Sequence, residues 1–103
     1  MMTDPNSLPP METMSDVRQQ VDRIDAEIIA LMAERFACMD AAARIKQDRN
    51  IVRDEVRKAA VLQNVKQLAE EARIPVPTVA AIWEMLVETS IGYELQKWDQ
   101  LRK

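Results

Sequence analysis

The strongest constraint on this chain is one unbroken helical period that runs from Asp16 to about Gln47. Val17, Val21, Ile24, Ile28, Met32, Met39 and Ala42 recur along it at three- and four-residue steps. At about 100° per residue they fall on one stripe. Ser15 or Asp16 is expected to cap its start, and the polar run Gln47-Asp48-Arg49-Asn50 to end it. A helix of roughly 32 residues is about 48 Å long at 1.5 Å per residue. A lone domain of 103 residues has no core of that length. Packing by a second copy is the economical arrangement.

The rest of the chain reads as two shorter helices. One is expected over Arg53 to Ala72, with Val61, Val65, Leu68 and Ala72 on a stripe that also carries Asp54 and Arg57. Ile74-Pro75-Val76-Pro77 breaks it, because proline lacks a donor and disfavours a helical residue before it. Pro77 fits the first turn of a third helix, where its missing N–H costs nothing. That helix is expected over Thr78 to Leu101, presenting Val79, Ile82, Trp83, Leu86, Ser90 and Tyr93. Gly92 within it costs about 1 kcal/mol relative to alanine, which close packing or close ligand approach would explain. Three of the five prolines fall in residues 1–13, so residues 1–14 are expected as a disordered tail and 15–103 as the domain. With one glycine and seven methionines, the expectation is an all-α fold of one very long and two shorter helices.

Several function classes drop out. The net charge of -3 is spread over 14 basic and 17 acidic residues. Arg49, Arg53, Arg57 and Lys58 do not make a basic patch of the kind nucleic acid requires. Cys38 is the single cysteine, which rules out an internal disulfide, fits a reducing cytoplasm and is expected as a buried structural thiol. With no histidine, a metal site is not expected. The opening MMTDPNSLPPMETM has no basic n-region or apolar h-region, so no secretory signal is expected. No apolar run reaches the length of a membrane span.

The chemistry sits on the apolar faces. Arg35 shares an azimuth with Val17, and Lys46 lies about 20° from it and about 16 Å along the axis. Each taken alone is explained by snorkelling, with Asp22, Asp25, Glu34 and Asp40 as available partners. Both together at the centre of a stripe, joined by Asp54, Arg57, Ser90 and Glu94 on the inner faces of the other helices, make a constellation. Buried cations need anions, so a small dianionic ligand is expected. There is no histidine base, no Ser90 partner for nucleophilic catalysis and no glycine-rich phosphate loop. What remains is a desolvated pocket that holds a reactive conformer and meets developing charge with fixed donors. Arg18 is rotated about 100° from Arg35, toward the flank, and in a crossed dimer it reaches the partner's pocket.

The run Val17-Arg18-(x2)-Val21-Asp22-(x)-Ile24-Asp25, then Ile28, Leu31, Arg35 and Lys46, resembles the all-helical chorismate mutases and their relative isochorismate pyruvate lyase. Val52-Arg53-Asp54-(x2)-Arg57 and Ser90-(x3)-Glu94 extend the likeness over about residues 15–99. The resemblance implies an intertwined homodimer with two equivalent sites and a Claisen rearrangement of chorismate to prephenate without a cofactor. It further implies that Arg18 serves the other subunit's site. Arg35 would hold a substrate carboxylate, and Lys46 would contact a carboxylate and the ether oxygen. Arg57 and Asp54 would sit near the ring substituents, Ser90 near a carboxylate and Glu94 at the ether oxygen.

Two positions depart from the pattern. Glu94 stands where the bacterial pattern usually has glutamine, and a carboxylate there donates to the ether oxygen only when protonated. Activity is therefore expected to fall as pH rises through the titration of Glu94. Lys58 stands where the mutase pattern commonly has a glutamate that serves the ring hydroxyl. The geometry of helix 2 is expected to point Arg57 inward and leave Lys58 nearer the edge. The alternatives are isochorismate pyruvate lyase, which yields salicylate and pyruvate, rearrangement of an amino-substituted chorismate, and a non-catalytic helical dimer.

Overall fold

A computed structural model describes residues 8–103; positions 1–7 of the expected tail lie outside the described residues. The elements are α1 (Met14–Ile45), a short 3-10 helix (Arg49–Ile51), α2 (Glu55–Ala72) and α3 (Val76–Leu101). Among the described residues there is no strand and no helix long and apolar enough to cross a membrane.

α1 is capped two to three residues earlier than Ser15 or Asp16 would place it. Thr13 Oγ1 accepts from the Asp16 N–H, and Asp16 Oδ2 accepts from the N–H groups of Thr13 and Glu12, all at 3.1 Å. This is a reciprocal capping box, so Thr13 is the cap and Asp16 its third-position partner. The backbone donors, Glu12 first, hold the Asp16 carboxyl below its ordinary value.

The chain divides into two compact units, the first ending at Glu34 and the second running Arg35–Lys103. The first contains the N-terminal part of α1. Arg23 pairs with Glu27 one turn on and donates to Gln20, an exposed arrangement of modest worth. No described residue of this unit is buried; Val21, Ile28, Ile29 and Leu31, the last three between 48% and 64% exposed, are all open.

The second unit holds the core. The C-terminal part of α1 is joined to α3 by side-chain contacts, Arg35–Ser90, Asp40–Tyr93 and Lys46–Glu94. α2 and α3 pack against each other and run in opposite directions, since Lys58 meets Glu84 while the earlier Arg53 meets Glu88. Ala43, Val52, Val65, Ala69, Leu86 and Val87 are buried between these elements. Leu86 retains 8% exposure, and cutting it to alanine would cost about 2–3 kcal/mol, the lower end for a core leucine. Leu68 and Ile82, expected on inner faces, are exposed at 52% and 53%.

The α2–α3 turn is built as a Schellman motif: Ile74 N–H donates to Ala69 and Arg73 N–H to Glu70, both at 3.1 Å. Arg73 takes φ 59°, the left-handed region where glycine is the usual residue. Pro77 occupies the first turn of α3. A Cβ at Gly92 would meet nothing within 4 Å, so packing within this chain does not require glycine there. Cys38, expected as buried, is exposed; Phe36 and Asp40 on either side of it meet Tyr93 of α3.

Candidate active site

Six of the residues singled out by pattern come together along one cleft of about 310 Å³. Arg35 and Lys46 come from α1, Asp54 and Arg57 from the start of α2, and Ser90 and Glu94 from α3. Met39, Ala42, Val52, Val61, Val87 and Ile91 supply apolar wall between them. Arg18 belongs to the first unit and does not line this cleft.

The wall from α3 carries the buried polar side chains of the cleft. Ser90 is 3% exposed and donates its hydroxyl proton to the Leu86 carbonyl at 2.7 Å. Its oxygen then accepts from Arg35 Nη1 at 2.6 Å. A serine hydroxyl has one proton, and here it is spent on the helix backbone. Ser90 therefore holds the Arg35 guanidinium in the cleft, and it would have to break its bond to Leu86 to donate to a ligand carboxylate.

Lys46 follows the last residue of α1, its N–H still donating to Ala42 at 2.9 Å. Its ammonium lies 2.8 Å from Glu94 Oε2 and donates to the Val52 carbonyl at 3.4 Å. Glu94 is 4% exposed, and Oε2 has no aligned hydrogen-bond partner among the described residues. The two observations are compatible: Coulomb attraction depends on distance, whereas a hydrogen bond also needs angle. A buried carboxylate oxygen thus keeps hydrogen-bonding capacity, on the wall of the cleft.

Asp54 lines the cleft as the cap of the second helix, not from within the helix. The helix begins at Glu55, and Asp54 Oδ1 accepts from the Arg57 N–H at 2.9 Å. That bond satisfies one orphan donor of α2 and fixes the first turn that carries Arg57 and Lys58. Arg57 is exposed and makes no side-chain bond among the described residues.

Lys58 is the correction. It also lines the cleft, and its side chain is only 16% exposed, less than that of Arg57. The reason is on α3: Lys58 Nζ is bound by Glu84 Oε1 at 2.7 Å and Glu88 Oε2 at 2.9 Å. These two carboxylates, Glu84 first, raise the Lys58 pKa. Arg53 completes the cluster with Nη1 and Nη2 bonds to Glu88 at 3.0 and 2.8 Å. Arg53 first and Lys58 second draw the Glu88 carboxyl down to about 2. Glu84 and Glu88 are one turn apart, a spacing visible in the sequence, but only the opposed direction of α2 and α3 brings Lys58 between them.

Two comparisons with characterised proteins are informative. The chain is 28% identical over 89 residues to an isochorismate pyruvate lyase from Pseudomonas aeruginosa, covering 86% of this chain and 88% of that protein. It is 27% identical over 87 residues to a chorismate mutase from Methanocaldococcus jannaschii, covering 84% and 88%. The model of the family described as chorismate mutase type II matches residues 17–95. That match spans most of the chain and includes α2, the cleft and all but the last turns of α3: the chain belongs to the chorismate mutase type II family.

Proposed function

We propose that this chain is a chorismate mutase that rearranges chorismate to prephenate without cofactor or covalent intermediate. The observation that carries the reading is the Lys46 ammonium standing beside the buried Glu94 carboxylate, with Arg35 held by Ser90 in the same cleft. A Claisen rearrangement breaks the ether C–O bond as the new C–C bond forms, and negative charge builds at the ether oxygen. Arg35 and Lys46 would hold the carboxylates in the folded conformer, with Arg57 and Asp54 near the ring substituents, while Lys46, beside Glu94, would donate to that oxygen. Fixed donors in a poorly hydrated cleft meet this charge without reorganising.

The working enzyme is proposed to be a cytoplasmic homodimer in which Arg18 of one subunit enters the cleft of the other. Support comes from the apolar residues Val21, Ile28, Ile29 and Leu31, each 47% or more exposed in the single chain. A helix of this length is stabilised chiefly by packing of an apolar face.

One observation favours isochorismate pyruvate lyase as the second reading. Lys58 puts a donor, locked to Glu84 and Glu88, on the wall where an acceptor would serve a ring hydroxyl, and one of the relatives is itself such a lyase. Purified protein should be given chorismate and isochorismate separately, with prephenate, salicylate and pyruvate quantified. Prephenate alone supports the mutase. Salicylate with pyruvate, at much higher kcat/KM, moves the chain to the lyase, and turnover of neither substrate leaves a non-catalytic dimer.

A further inference from the structure

The C-terminal end of α1 has a second, unassigned set of partners. The last carbonyls of a helix lack intrahelical donors. Here they are met by the last turn of α3 and by Arg102, the residue that follows it. Arg102 Nη1 donates to the Ala43 carbonyl at 3.0 Å, and Arg102 Nη2 donates to those of Lys46 at 2.7 Å and Arg44 at 3.4 Å. Trp98 Nε1 donates to the same Lys46 carbonyl at 3.0 Å. The guanidinium stacks over the Trp98 ring, 4.3 Å from its centre, and a cation at a helix C-terminus is favoured by the helix dipole.

Lys46 is therefore gripped at both ends by α3 and the residue that caps it. Glu94 meets its ammonium, and Trp98 and Arg102, one and two turns later, meet its carbonyl. Because Lys46 lies just past Ile45, the last residue of α1, the helix alone does not hold its backbone. We propose that Trp98 and Arg102 are positioning residues for Lys46, setting where its ammonium stands in the cleft; this rests on the reading of Lys46 as the group that meets the ether oxygen. The neighbouring Arg49–Asp99 pair, with bonds of 2.8 and 3.2 Å, ties the same two segments together without touching Lys46 and serves as the internal control.

The test compares Arg102→Ala, Arg102→Lys, Trp98→Phe and Asp99→Asn in the full chain. Displacement of a catalytic group by about 1 Å costs up to about a hundredfold in rate. Arg102→Ala and Trp98→Phe are expected to lower kcat by about ten- to a hundredfold, with KM nearly unchanged. Arg102→Lys should recover part of the loss, because an ammonium replaces some of the donors, and Asp99→Asn should leave kcat at the wild-type value. In parallel, the 15N resonance of the Lys46 ammonium, assigned by its loss in Lys46→Arg, should shift in Arg102→Ala and Trp98→Phe but not in Asp99→Asn. Unchanged kcat and an unmoved resonance in folded Trp98→Phe overturn the proposal, even where Arg102→Ala does not fold. If wild type turns over neither chorismate nor isochorismate, the functional reading fails while the resonance still decides the positioning.

Discussion

Glu94 Oε2 and the Lys46 ammonium are 2.8 Å apart on the wall of the cleft, and Glu94 keeps 4% of its surface exposed. A carboxylate so placed has two opposite effects on a developing oxyanion. Protonated, it donates a hydrogen bond; ionised, it repels the charge and competes for Lys46.

Glu94→Gln, whose amide donates to an oxygen that gains charge and carries no charge to draw off Lys46, is expected to retain activity. Glu94→Ala, which removes the group, should lower kcat by about a hundredfold. The measurement is kcat for both variants beside wild type. Wild-type activity in Glu94→Ala would sink the assignment.

Arg18 and Arg35 are predicted to complement each other between subunits. Each of Arg18→Ala and Arg35→Ala alone should lose activity by orders of magnitude, since each removes a charge from a poorly solvated site. Refolding the two together gives half heterodimers, each with one complete site, so about a quarter of wild-type activity should return by the symmetry of a two-fold dimer. No recovery on mixing would place Arg18 in its own subunit's site or in none.

Glu88 links the cleft wall to pH-dependent stability. Its carboxyl is drawn from 4.5 to about 2 by Arg53 and then Lys58. A folded-state pKa below the unfolded one stabilises the fold fully above the unfolded value, and that stability is lost as pH falls from about 4.5 toward about 2. Glu88→Gln should be less stable than wild type at neutral pH, with the two converging in that acid window. The effect is expected to be small because the cluster is partly solvated. Thermal melts from pH 7 down to pH 2 test it, and parallel melting curves at all pH values would contradict the linkage.

Arg73 is held at φ 59° at the end of α2. A non-glycine residue in the left-handed region costs roughly 1 kcal/mol or more, and glycine is the natural occupant of this position in the motif. Arg73→Gly is expected to stabilise the chain by about 0.5–1 kcal/mol after its larger unfolded-state entropy is counted. Urea unfolding measures it; a loss of stability would mean the arginine side chain contributes more than its backbone costs.

What the sequence determined by itself was local and periodic. The count of three helices, the extra length of the first, and the proline break before the third follow from spacing and from backbone chemistry within a few residues. The motif spacings also brought Arg35, Lys46, Asp54, Arg57, Ser90 and Glu94 into view together, and they line one cleft. Helix ends were less legible: Thr13 rather than Ser15 or Asp16 caps α1, and Asp54 caps α2 instead of lying within it, because caps are settled by hydrogen bonds that several neighbouring side chains are equally able to make. Tertiary structure decided the rest. Lys58 turned inward because Glu84 and Glu88 on an opposed helix bind its ammonium, Ser90 spent its proton on Leu86, and Trp98 and Arg102 closed the end of α1. Helical period gives the azimuth of each residue, but which carbonyl or carboxylate awaits a long side chain at that azimuth depends on how the helices are set against one another.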